Sequence, residues 1–338
     1  MDEREIIKNL FVNLATNPGA LNLDDDAAFL AADKNKDSII TQDTLISGVH
    51  FHSHDSPYNI AKKAIRVNVS DLIAKGATPY VYFLSIGIPK NINTHWLELF
   101  ASGLKDDQEK YSISLLGGDT VSSPNDIHIT INMVGLIPKN KMVRRSGANI
   151  NDNLYVSGCI GDSALGLSIL DDVSLASNLS AISKNYLIDS YYLPDPPIDM
   201  IRVINDFATS SMDVSDGLLG DIKLLIKSSS VSAKINLKKI PVSLPANELI
   251  NNHTFLFQKA INAGDDYQVL FTVPADKIKE LESYCCSNNL IVTNIGSIIK
   301  TIGENELFDE FDKSMKAAIV NFYDEGYDED DDSDDAEY

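Results

Sequence analysis

Val67-Asn68-Val69-Ser70-Asp71-Leu72-Ile73-Ala74-Lys75-Gly76-Ala77 is the stretch around which the chain is organised. From Pro57 to Lys75 the apolar spacing predicts a helix, because Ile60, Ala64 and Val67 recur at helical steps and share one face. Gly76 and Pro79 supply the stop. Continued past Val67, the apolar stripe lands on Asp71. A carboxylate on a core-facing stripe is costly unless it is paired, hydrogen-bonded or bound to metal. Taken alone, such an Asp is more often a satisfied structural residue, bonded to Asn68 or a nearby amide. Its company argues otherwise, since Asp-centred stretches recur along the chain.

The 338 residues suffice for two domains of ordinary size, and an apolar fraction of 44% is normal for a protein with real cores. Net charge is −21, yet the fifteen residues from Asp324 hold ten acids and no Lys or Arg; without those ten the remainder is still −11. That balance argues against nucleic-acid binding, which needs a basic surface, and suits divalent cations. Cys159, Cys285 and Cys286 have no metal-ligand spacing and indicate no oxidising compartment. No run reaches the roughly 18 apolar residues of a membrane span. The start has no apolar run like a signal peptide. The cytoplasm is the expected location.

Residues 2–15 read as an amphipathic helix. Ser38-Ile39-Ile40 and 45–51 read as two strands, 80–88 as a buried strand and 96–111 as a helix. Ile113 to Leu116 is a short strand ending in a Gly117-Gly118-Asp119-Thr120 loop, whose glycines let a backbone approach a ligand. Residues 127–135 alternate as a strand does, and Pro138 to Lys141 is the expected domain boundary. Ser215 is placed to cap a helix beginning near Gly217, with Asp213 and Asp216 flanking its positive end. The domains expected are 1–138, 139–322 and an acidic, disordered tail over 323–338.

The acidic stretches are Asp24–Asp26, Asp43, Asp71, Asp119 and Asp213 with Asp216. Hard carboxylates with Thr and Ser hydroxyls suit magnesium, which bridges protein carboxylates and substrate phosphates. The lysine-bearing phosphate loop, the dinucleotide glycine fingerprint and the protein-kinase catalytic loop are all missing from the sequence. A nucleotide enzyme of this composition would rely on metal.

Nine blocks then occur in the order seen in thiamine-monophosphate kinases, up to about residue 327. They are Asp25-Asp26-Ala27, Asp43-Thr44-Leu45, Gly48-Val49-His50-Phe51, Asn68-Val69-Ser70-Asp71-Leu72, Gly117-Gly118-Asp119-Thr120, Arg145-Ser146-Gly147-Ala148, Gly161-Asp162-Ser163-Ala164, Asp213-Val214-Ser215-Asp216-Gly217-Leu218 and Gly264-Asp265-Asp266-Tyr267. Each block is weak alone; together they make a specific resemblance to that family, in the superfamily of aminoimidazole ribonucleotide synthetase.

The resemblance implies an α+β fold of two domains, an N-terminal sheet domain used for dimerisation and a C-terminal α/β domain. It implies ATP-dependent phosphorylation of thiamine monophosphate to thiamine diphosphate by a homodimer, with several magnesium ions. Magnesium ligands would be Asp26, Thr41, Gln42, Asp43, Asp71, Asp119, Asp213 and Asp216. Nucleotide contacts would be Gly118, Asp119, Arg145 and Ser215, and substrate contacts His50, Asp265 and Tyr323, with Phe322 the other choice for the last. Catalysis would rest on Asp71, Asp119, Arg145 and Asp213, with Asp265 set apart from the Asp213–Asp216 pair. The family carries Gly where Asp24 stands, Thr where Gln42 stands and Glu where Asp265 stands, and the aromatic motif near Tyr323 matches only in part. These departures fall mostly at the acceptor end. The alternatives are a superfamily kinase or synthetase with another acceptor, and a nucleotide- or metal-binding protein without turnover.

Overall fold

Ser56 and Pro57 open helix α1 (Pro57–Ala74), with proline in the first turn, where its missing N–H costs nothing. Gly76 closes it at φ +73°. The Gly76 N–H donates to the Ile73 carbonyl and the Ala77 N–H to the Leu72 carbonyl, both at 2.9 Å. That is the paired closure a left-handed residue permits. Apolar residues around nearly the whole circumference of α1 are buried. A helix covered on all sides must lie between other layers, and here those layers are two sheets.

The computed structural model describes residues 3–300 and 308–309. The first sheet has the order β1-β4-β2-β3, from β1 (Lys36–Ile46), β2 (Thr78–Pro89), β3 (Ser114–Ser123) and β4 (His128–Pro138). β4 is antiparallel to β1 and β2, and β2 is parallel to β3 across the crossover helix α2 (Thr94–Tyr111). The second sheet contains β5 (Asn153–Ser157), β6 (Ser210–Val214), β7 (Ser232–Ile235), β8 (Gln268–Val273), β9 (Val292–Ile299) and β10 (Phe308–Asp309). Its order is β10-β7-β9-β5-β8-β6, antiparallel save for the short β7–β10 pair. Helices α3 (Asp162–Asp171), α4 (Ala181–Tyr192), α5 (Met200–Phe207), α6 (Leu218–Ser229), α7 (Leu244–Asn252), α8 (Leu256–Asn262) and α9 (Ile278–Ser287) complete it.

The 138/139 division falls between the sheets, but packing does not stop there. Leu72 and Met133 share one apolar cluster with Tyr155, Met200, Phe207 and Phe271. A buried ion pair adds to the join. Arg66 grips Asp107 through Nε at 2.7 Å and Nη2 at 3.1 Å, while its Nη1 donates to the Pro194 carbonyl at 2.8 Å. One guanidinium fork thus ties α1, α2 and the connector after α4.

Three sequence expectations change. The pieces at 38–40 and 45–51 are one strand, β1, followed by a turn. Gly117-Gly118-Asp119-Thr120 lies inside β3. The Cβ that Gly118 lacks would strike the Leu84 carbonyl, so strand packing demands glycine there. Ser215 caps nothing: Gly217 precedes α6, with no side-chain cap. The tail over 323–338 lies outside the described residues, as does Tyr323.

Candidate active site

Strand alternation sends Thr41 and Asp43 of β1 toward α1 and Gln42 to the other side. The Thr41 hydroxyl donates to the Asp71 carboxylate. Next along α1, the Ser70 hydroxyl donates to Asp213 Oδ2 of β6 at 2.9 Å. The C-terminal turn of α1 therefore joins β1 of one sheet to β6 of the other. Burial first, and then the charge of Asp71, raise the Asp43 carboxyl to about 6. The same two causes raise Asp213, only 7% exposed, to about 7. Groups held there resist ionising unless a cation joins them.

Two further residues shape this centre, and neither was singled out by motif. Asp221, fully buried in the first turn of α6, accepts the Asp216 N–H on Oδ2 at 3.2 Å, and its Oδ1 has no partner. Burial, then Asp216, raise it to about 7. Lys75 donates Nζ to the Ser211 carbonyl at 2.8 Å; burial lowers its pKa, while Asp213 and Asp71 pull it up and Arg145 pushes it down. Arg145 is exposed, within electrostatic reach of Lys75 and Asp221.

A second cluster forms at the other end of α1. Lys63, 3% exposed, donates to Asp265 Oδ2 at 2.8 Å and to the His50 carbonyl at 3.4 Å, and its ammonium sits 4.2 Å from the Tyr191 ring centroid. The Tyr267 hydroxyl donates to Asp265 Oδ1 at 2.9 Å. Asp265 and Tyr267 both take left-handed backbone, φ +69° and +50°. Their N–H groups are anchored on the Ser215 and Val214 carbonyls, at 2.9 and 2.8 Å. A Cβ on Gly264 would clash with the Ser215 carbonyl, so only glycine lets these loops interlock. Asp265 therefore adjoins Ser215 through its backbone, contrary to the expected separation, while its carboxylate turns to Lys63. Its neighbour Asp266 differs. It is 7% exposed, accepts the Gly161 N–H on both oxygens at 2.9 Å, and is pushed well above the carboxylate range by burial. His50 is exposed, and its Nδ1 accepts the Ile46 N–H at 3.1 Å, so the ring closes the turn after β1.

Asp26 and Asp119 are elsewhere. A register shift in the β2–β3 pairing between Tyr82 and Phe83 sets Asp119 opposite Ser85. Asp26, Asp119, Phe83, Ser85 and Asn132 line a groove of about 600 Å³ on the sheet face turned from α1. Asp43 and Gly118 share a row three strand spacings apart, about 14 Å. The eight expected metal ligands thus fall into two sets. Thr41, Asp43, Asp71 and Asp213 meet on the helix side, with Asp216 exposed beside them. Asp26 and Asp119 lie across the sheet, and Gln42 faces that side. Among the described residues, no three carboxylates of the centre come within 4.8 Å of one another.

Comparison with known proteins gives these features a family. Residues 24–137 match the N-terminal domain of AIR synthase related proteins. The chain is 36% identical over 258 residues to thiamine-monophosphate kinase of Buchnera aphidicola from Acyrthosiphon pisum, covering 76% of this chain and 78% of that protein. The chain belongs to the thiamine-monophosphate kinase family. The fold of this family member agrees. The crystal structure of thiamine-monophosphate kinase from Stenotrophomonas maltophilia superposes with a TM-score of 0.78 at 31% identity, covering 85% of this chain and 90% of that one. AaThiL, solved in complex with AMPPCP and TMP, superposes with a TM-score of 0.73 at 32% identity, covering 85% and 87%. In this kinase-family chain the motifs located the acidic ends of strands and helices. They passed over Lys63, Lys75 and Asp221. For Lys63 a signal existed: it stands three residues after Ile60 and four before Val67, so it falls on the apolar stripe that those residues define.

Proposed function

We propose that this chain transfers the γ-phosphoryl group of ATP to the phosphate of thiamine monophosphate, giving thiamine diphosphate. The observation that carries this reading is the arrangement along α1. A carboxylate-rich centre at Asp71 and a charge-paired pocket at Lys63 lie eight residues apart, about 12 Å along one helix. The first suits polyphosphate with metal, the second the far end of an acceptor.

The acceptor is a phosphate monoester, about −1.5 to −2 at neutral pH. Its oxygen is already a nucleophile, so the chain need not supply a general base. Its task is to hold two polyanions in line. Asp43, Asp71 and Asp213 would hold magnesium, with Thr41 and Asp216; the buried carboxyls with raised pKa fit that demand, because a dication is what lets them ionise. Bound magnesium would neutralise the phosphates and bridge them to the protein. Asp26 and Asp119, with the amide oxygen of Gln42, are proposed as a second oxygen-donor set for a further ion on the opposite face. Arg145 would place a fixed positive charge by the nucleotide, with Gly118 and Ser215 contributing backbone contacts. Lys63, Asp265 and His50 would orient the acceptor, and Tyr267 joins the two ends, since its phenol senses Asp265, Asp213 and Asp43.

We also propose a homodimer through the first sheet, where Ile40 is 70% exposed, and a cytoplasmic location. Among the described residues no helix is long and apolar enough to cross a membrane. The deciding assay supplies ATP and magnesium with thiamine monophosphate or with unphosphorylated thiamine. Thiamine diphosphate forms in the first arm only. Absence of transfer to the monophosphate, or equal transfer to thiamine, overturns the reading. Sedimentation equilibrium tests the dimer, and a monomer at micromolar concentration removes it.

A further inference from the structure

The turn between β1 and α1 carries a second group of ligand-type side chains, outside the acidic centre. Among the described residues, His52, His54 and Asp55 are the one set of three His, Cys, Asp or Glu whose donor atoms all lie within 4.8 Å of one another. Asp55 is 6% exposed, and its Oδ2 accepts the His52 N–H at 2.8 Å. Its Oδ1 and the Nδ1 of His52 are both shut off from solvent, and neither has a hydrogen-bond partner. They face each other at 3.8 Å, beyond hydrogen-bonding range. The His52 and His54 rings stack 5.3 Å apart at 18°, and His52 also lies 6.2 Å from the ring of Tyr191. Burying two polar atoms without partners is costly, because each has given up its water and gained nothing in return. Protonating His52 would pair it with Asp55, but it would give the stacked His54 no role.

We propose that His52, His54 and Asp55 bind a transition-metal dication of the zinc class. Two imidazole nitrogens and one carboxylate oxygen are a ligand set for such borderline ions, with a fourth position left for water. Magnesium, which prefers an all-oxygen octahedron, is not suited to it. The cation gives both buried unpartnered atoms a ligand and places His54 in the same shell. It also fixes the turn that follows His50, beside the Tyr191 ring on which Lys63 rests. The site would act as a staple for the acceptor side of the molecule, distinct from the carboxylates at Asp71.

The test uses the full-length chain without an affinity tag, stripped with chelator and titrated with zinc by calorimetry in excess magnesium. Cobalt(II) absorption reports the ligand geometry. Wild type and Asp71→Asn each show a zinc-binding event and an intense tetrahedral cobalt spectrum. His54→Ala, an exposed position whose loss does not threaten the fold, removes both, and so does Asp55→Asn. The proposal fails if wild type binds no zinc under these conditions. It also fails if binding survives in the His52→Ala/His54→Ala double variant, or if Asp71→Asn abolishes it, which would put the ion among the carboxylates.

Discussion

The two ends of α1 treat charge in opposite ways. At the Lys63 end the half-buried carboxylate of Asp265 is matched by an ammonium and a phenol, and that ammonium is in turn covered by an aromatic ring. At the Asp71 end three carboxylates share two hydroxyls and the field of one lysine that is already committed to a carbonyl. The first end is complete in the protein alone, whereas the second has more negative charge than its own groups can neutralise. A paired pocket recognises a ligand by shape and hydrogen bonds; an underneutralised one recruits cations and whatever anions the cations bring.

The sharpest way to break this contrast is Asp71→Asn. It keeps the shape and removes the charge at the centre. Turnover should fall by about a hundredfold or more, the scale of deleting a preorganised electrostatic group, with an unchanged circular-dichroism spectrum. A folded variant with near wild-type turnover at saturating magnesium would show that the centre does not act through charge. Next in size is Asp266→Ala, which leaves the buried Gly161 N–H without its acceptor. The expected cost is roughly 1–3 kcal/mol of stability, read by denaturant unfolding, with the acceptor's Michaelis constant unmoved. A changed acceptor constant with intact stability would reverse the roles given to Asp265 and Asp266.

Asp265→Ala should do the opposite. It removes the partner of Lys63 and raises the Michaelis constant for thiamine monophosphate about tenfold, near the worth of one charge-assisted hydrogen bond. The constant for ATP should change little. If the ATP constant rises instead, the contact of Asp265 with Ser215 outweighs its contact with Lys63.

The smallest expected effect is on stability against pH. Asp43 and Asp213 have folded pKa values of about 6 and about 7, against an ordinary 3.8. The folded state therefore keeps protons that the unfolded chain has released. Their contribution is fully present below the unfolded value and is lost as pH rises through the folded ones. Metal-free protein should melt several degrees lower at about pH 8 than at about pH 5, and magnesium should stabilise more at the higher pH. In Asp213→Asn both slopes flatten. An equal magnesium effect at the two pH values would contradict the assignment of these carboxylates as its ligands.

Much of this was legible in the chain itself. The spacing of Ile60, Ala64 and Val67 defined α1, Gly76 ended it, and the interruption at Asp71 marked the turn that joins β1 to β6. Ordered motifs named the family. Local signals do this well because helix period and the left-handed needs of glycine act over a few residues. The sequence also determined the surplus of acid at the strand and helix ends.

What tertiary structure decided is which of those acids meet. Alternation in β1 parts Gln42 from Thr41 and Asp43, and a register shift beside β3 puts Asp119 on the far face, so eight similar residues became two sets. No local pattern encodes a register that depends on which strands pair. Lys63 is ordinary in sequence and gains a role only because residues 202 positions apart become neighbours when it reaches Asp265. Asp265 and Asp266 are adjacent carboxylates of the same type. Their difference lies in environment, one facing an ammonium at a partly open surface and the other enclosed by the Gly161 loop, and burial is a property of the packed chain.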